Sequence, residues 1–83
     1  MPVFLLHHQH DEHECPAAFA AWTGFDSPLR RRLAASTCLT NGGAGHALWW
    51  RVEAVDPDSA LRLLPRFLAE RTTPIEIREV PIP

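Results

Sequence analysis

The apolar run Val3-Phe4-Leu5-Leu6 near the start of the chain limits the folds open to it. In extended backbone Val3 and Leu5 point one way while Phe4 and Leu6 point the other, so both faces of the strand are apolar. Such a strand belongs at the centre of a sheet. The chain that must surround it has 83 residues, enough for one domain that buries only about 60–65% of the surface its unfolded form exposes. Residues 1–83 are therefore expected to form a single domain with a thin core.

The strand extends from Pro2 to His10, and a helical pattern follows over Pro16 to Thr23, with Cys15, Phe19 and Trp22 on one bulky face. Asp11 with Glu14 is a capping box, but Pro16 fits best at the first helical position. The later start is preferred, because a proline five positions into a helix costs about 3 kcal/mol. Asp11 to Glu14 then form a connecting turn with side chains open to a ligand. Gly24 can end the helix, and Asp26-Ser27-Pro28 can begin a short helical turn through Leu29 and Arg30. Leu33 to Thr40 resembles a second strand, Asn41 to Gly45 a hairpin turn, and His46 to Val55 a third strand. In that strand Leu48, Trp50, Val52 and Ala54 face the helices, and Trp49 lies on the opposite face. Asp56 and Pro57 start a second helix with the apolar stripe Ala60, Leu61, Leu64, Phe67 and Leu68, kinked near Pro65. Thr73-Pro74 closes it, and Ile75 to Ile82 alternates as a fourth strand.

The order strand, helix, strand, strand, helix, strand predicts an α+β domain of ferredoxin-like βαββαβ type, with a four-stranded antiparallel sheet and two helices on one face. The first and third strands are expected as parallel neighbours at the centre, with the fourth beside the first and the second beside the third. The open face would carry Trp49 and an apolar row of the first strand. A patch of that kind usually has a partner. Two copies joined through their open faces would form a homodimeric α/β barrel and relieve the thin core.

Four of the five histidines, His7, His8, His10 and His13, fall within seven residues, and Glu14 and Cys15 follow directly. Imidazole, thiolate and carboxylate are the side chains that hold transition metals. His8 and His10 share one strand face with Cβ atoms about 6.5–7 Å apart, so both can reach one ion, while His7 points away. His13, Cys15 and Glu14 can complete the site after the turn. With the first and third strands parallel, Glu53 and Glu76 are the plausible long-range ligands, and His46 and Cys38 lie at the opposite end unless a dimer mate supplies them. The expected metal ligands are His8, His10, His13, Glu14, Cys15 and Glu76. Nitrogen-rich ligands favour nickel, copper or zinc over magnesium or calcium.

The chain resembles the small dimeric α/β-barrel proteins of bacteria, and among them is similar to short stand-alone ferredoxin-like proteins that include nickel-binding members. The resemblance rests on the element order, the histidine-bearing end of the first strand, and Ala69-Glu70-Arg71-Thr72 leading into a last strand with Arg78-Glu79-Val80. It implies a dimer and permits either metal binding or small-molecule chemistry.

Three function classes stay open. The first is a small transition-metal-binding protein. The second is a small dimeric enzyme using histidine acid–base chemistry or metal-bound water on a small organic substrate, with no assignable catalytic residue. The third is a non-catalytic assembly module, in which His7 and His8 pack at a strand end, Cys15 fills the helix face and the acids face water. A net charge of −2 argues against a general nucleic-acid partner despite Arg30 to Arg32. No run approaches the roughly 18 apolar residues of a membrane span. Two cysteines and the lack of a secretory signal point to the cytoplasm.

Overall fold

The computed structural model describes residues 1–37 and 46–83. It is an α+β domain built on one four-stranded antiparallel sheet, β1 (Val3–His10), β2 (Ala35–Ser36), β3 (His46–Glu53) and β4 (Thr72–Ile77). The strand order is β2-β3-β1-β4, which puts the doubly apolar β1 at the centre. Three short helices, α1 (Cys15–Ala20), α2 (Pro57–Leu61) and α3 (Arg66–Ala69), lie with two 3-10 turns, Glu12–Glu14 and Pro28–Arg31.

Alternation along β1 sends Phe4, Leu6, His8 and His10 to the buried side and leaves Val3, Leu5 and His7 half-buried on the other. The core is one cluster in which Phe4 and Leu6 meet Trp50 and Val52 of β3, Ala54 just after it, and Leu29, Ala60, Leu64 and Leu68 above the sheet. Burying each large side chain of this kind contributes about 1.5–3 kcal/mol. Because His8 and His10 continue the row of Phe4 and Leu6, the packing that stabilises the domain also buries the histidines.

The pairing of β1 with β3 corrects the sequence expectation. The two strands are antiparallel, with Val3 opposite Glu53 and His10 opposite His46. The crossover from β1 leads to β2, which runs antiparallel to β3, so β3 must oppose β1. The end of β1 therefore meets the start of β3.

Local signals at the helix ends explain the remaining departures. Asp11 caps a 3-10 turn, with its N–H donating to Glu14 Oε1 at 3.0 Å, and α1 then begins with Pro16 in its first turn. Both expected starts are therefore used in succession. α1 is shorter than expected and turns Ala18 rather than Phe19 to the core, leaving Phe19 69% exposed. Gly24, at φ +74°, reverses the chain after it. Ser27 caps the next turn by accepting from Leu29 N–H and donates to the Leu63 carbonyl at 2.6 Å. Asp56 Oδ1 accepts from Ser59 N–H at 2.7 Å and starts α2.

Pro65 does more than kink the following segment. Its ψ of 152° is extended, so α2 ends and α3 starts anew, as expected of a ring that clashes with the preceding turn and has no N–H to give. β4 begins at Thr72, earlier than expected, and runs through Pro74 opposite Leu6. An edge strand paired on one side tolerates proline. Val80 and Ile82 lie beyond it and are exposed. The expected second strand is seen as Ala35–Ser36, and its continuation to Thr40, Cys38 and the hairpin turn Asn41 to Gly45 lie outside the described residues.

Candidate metal centre

Three elements converge where β1 ends. His10 is the last residue of β1, Cys15 the first of α1, and His46 the first of β3, directly across from His10. His10 Nε2 lies 3.4 Å from Cys15 Sγ, and Cys15 Sγ lies 2.7 Å from His46 Nδ1. One ligand atom from each of the three residues lies within 4.8 Å of the other two. The two imidazoles meet edge-on at 79°, with ring centroids 5.5 Å apart.

A tetrahedral ion with bonds of about 2.0–2.1 Å to nitrogen and 2.3 Å to sulfur holds its donors about 3.3–3.6 Å apart. The His10–Cys15 separation already matches. The Cys15–His46 pair must open by about 0.8 Å to admit such an ion. Two imidazoles with one thiolate form a donor set suited to transition metals rather than to magnesium or calcium. A hollow of about 670 Å³ beside the cluster is lined in part by His10, His46, Asp11, Glu14 and Arg71.

Behind His10 stands His8, which is fully buried. His8 Nε2 is 2.8 Å from His10 Nδ1, and His8 Nδ1 is 3.2 Å from both the Leu68 carbonyl and Thr72 Oγ1. Burial holds the His8 pKa below its ordinary value, partly opposed by the Leu68 carbonyl, and burial followed by the neighbouring His46 does the same for His10. Both rings are thus biased toward the neutral form, the form that ligates metals.

The expected ligands separate into distinct groups. His10 and Cys15 come together with His46. His8 has both ring nitrogens in hydrogen bonds and stands behind His10 rather than among the three converging donors. His13 and Glu14 group with Asp11 on the surface, their ligand atoms within 4.8 Å of one another. Glu14 is already engaged, accepting from Asp11 N–H and from Arg71 Nε at 3.2 Å. These contacts, the Asp11 N–H first and Arg71 after it, lower its pKa. Arg71 is held in turn by the Phe67 carbonyl and ring.

Glu76 lies opposite Phe4, and Glu53 opposite Val3. Six residues of strand, about 20 Å, separate Phe4 from His10, so the register places Glu76 and Glu53 at the other end of β1 from the three converging donors. The parallel pairing expected for β1 and β3 places Glu53 near the end of β1, and a fourth strand expected to begin at Ile75 places Glu76 there, whereas β4 begins at Thr72 and sets Thr72 opposite His8. The same parallel pairing puts His46 at the opposite end of the sheet, whereas the antiparallel register sets it across from His10. The available signal was connectivity, since a crossover followed by a hairpin makes β3 antiparallel to β1.

His7 points to the open face, as expected, and stacks on Trp49 with planes 2° apart and ring centroids 5.1 Å apart. Among the described residues no helix is long and apolar enough to cross a membrane. Comparison of the chain with protein-family models, curated proteins and solved structures finds no match.

Proposed function

We propose that this protein is a small transition-metal-binding domain whose ion is held by His10, Cys15 and His46. The observation that carries this reading is the convergence of one sulfur and two imidazole nitrogens within 4.8 Å. Nickel, copper and zinc suit the set, and the thiolate favours the softer of these ions. Residues 11–14 contribute the surface turn that leads from β1 to Cys15 rather than the centre itself.

The test is the metal content of untagged, chelator-free protein, beside His10→Ala, Cys15→Ser and His46→Ala. One equivalent of nickel, copper or zinc in the wild type, lost in each variant, supports the proposal. Cobalt substitution should add a thiolate-to-metal absorption band that Cys15→Ser removes. A wild type that neither contains nor takes up a metal ends this reading. It would leave the histidines to acid–base chemistry or packing.

The proposal extends to assembly as a ferredoxin-like homodimer of the α/β-barrel kind. Helices α2 and α3, with Ala21 and Trp22 after α1, pack on the face that carries Phe4 and Leu6. Val3, Leu5, Ile75 and Ile77 line the other face by register, and Ile75 is 42% exposed. A second copy would cover that row. Kinship with the small dimeric α/β-barrel proteins belongs to the same reading and rests on topology.

A further inference from the structure

We propose that His8 is a positioning residue for the metal centre, one that holds His10 in the Nδ1–H form and so presents the bare Nε2 of His10 to Cys15 and the ion. This inference rests on the metal-binding reading and assigns the atom through which His10 binds.

The argument follows the protons outward from the backbone. The Leu68 carbonyl has lone pairs only. Thr72 Oγ1 donates its single proton to that same carbonyl at 2.6 Å, so it too offers only lone pairs to His8. His8 Nδ1 faces both acceptors at 3.2 Å and must therefore carry a proton. In a neutral ring the other nitrogen is then bare, so His8 Nε2 accepts from His10 Nδ1–H across 2.8 Å. His10 has one proton to place, and this contact places it on Nδ1. Its Nε2 is left as a lone pair 3.4 Å from Cys15 Sγ.

Metal-bound histidines commonly donate their second ring N–H to an acceptor that fixes tautomer and orientation. Here the acceptor is a second histidine, itself held by a backbone carbonyl that no side-chain substitution removes. The relay crosses from α3 through β1 to the metal site. His8 is fully buried, so solvent does not compete for its hydrogen bonds.

The test joins histidine-selective nitrogen NMR of the wild type with zinc affinities of His8→Met, His8→Gln and His10→Ala. In the wild type without metal, His8 and His10 should both show a protonated Nδ1 and a bare Nε2. Zinc should then shift Nε2 of His10. The opposite tautomer at His10, or a zinc-induced shift at Nδ1, overturns the proposal whether or not any variant folds.

His8→Met fills similar space but offers His10 Nδ1–H only a weak thioether acceptor, and it should weaken zinc binding about 10- to 100-fold while keeping one site. His8→Gln supplies an amide oxygen in place of Nε2 and an N–H for Leu68, and it should recover affinity to within about 3-fold of the wild type. Unchanged affinity in His8→Met refutes the positioning role. Complete loss there, equal to that in His10→Ala, makes His8 a ligand and refutes it as well. A wild type that binds no zinc refutes the metal reading itself, and the positioning role falls with it.

Discussion

Metal binding should raise thermal stability, by an amount that follows from where the donors lie in the chain. His10 and Cys15 are five residues apart. His46 is 31 residues beyond Cys15. The unfolded chain can offer the first two together but recruits the third only by closing a long loop, so the ion prefers the folded state. With free zinc at about 100 times its dissociation constant, that preference contributes about 2.7 kcal/mol. The entropy of unfolding for 83 residues, at about 2.1 cal/mol/K each, is about 170 cal/mol/K. The two figures together predict a rise in Tm of about 16 °C. Scanning calorimetry with and without zinc measures it. His46→Ala should keep less than about 3 °C of the rise, because it removes the donor that only folding supplies. Stoichiometric zinc with a negligible rise in the wild type would place the ion on a segment equally available when unfolded, such as Asp11 to Glu14. A full rise in His46→Ala would refute the three-residue centre.

Other consequences are separable from that one. Glu76→Gln should leave zinc affinity within about 2-fold of the wild type, since about 20 Å of strand lies between its partner Phe4 and His10; a larger loss by competition titration would contradict the antiparallel register. Acidification should destabilise the metal-free domain. The folded-state pKa values of His8 and His10 lie below the ordinary 6.5, so below about pH 6.5 the unfolded chain binds more protons and stability falls by up to about 1.4 kcal/mol per pH unit for each histidine, levelling off below the folded-state values. Glu14 and Asp56 are held below 4.5 and 3.8 and do not contribute in this window. Urea midpoints at about pH 7 and about pH 5.5 test this, and equal stabilities would mean that the buried histidines already titrate normally. Leu5→Arg, placed on the open face, should convert the proposed dimer to monomer by light scattering; a wild type that is already monomeric sinks the assembly reading.

Much of this architecture is legible in local pattern, because the responsible interactions are local. The alternation of Val3 to Leu6, the caps at Ser27 and Asp56 and the turn at Gly24 each act within a few residues. The failures concern choices settled elsewhere in the chain. Phe19 has the right spacing for a core position, yet Ala18 takes it and Phe19 is exposed, a choice set by how α1 is oriented on the rest of the domain. The apolar spacing after Pro65 continues that of α2, but it cannot show whether the proline bends the helix or ends it. β4 can pass through Pro74 because it is an edge strand, and edge position is a property of the sheet rather than of the segment.

The candidate centre was half legible for the same reason. His10 and Cys15 are near in sequence and emerge from the density of chemistry alone, but His46 becomes their neighbour only through the β1–β3 register. That register is set by apolar packing, since Phe4 and Leu6 must face the core together with Trp50 and Val52. A slip of one residue would turn His8 and His10 to the open face and carry His7 inward with Gln9. The hydrophobic row therefore holds the donor geometry in place: Phe4 and Leu6 touch no ligand atom, yet they decide which histidines of the cluster are buried and which strand end they meet. Substitutions that weaken this row without changing a donor should loosen metal binding and fold stability together.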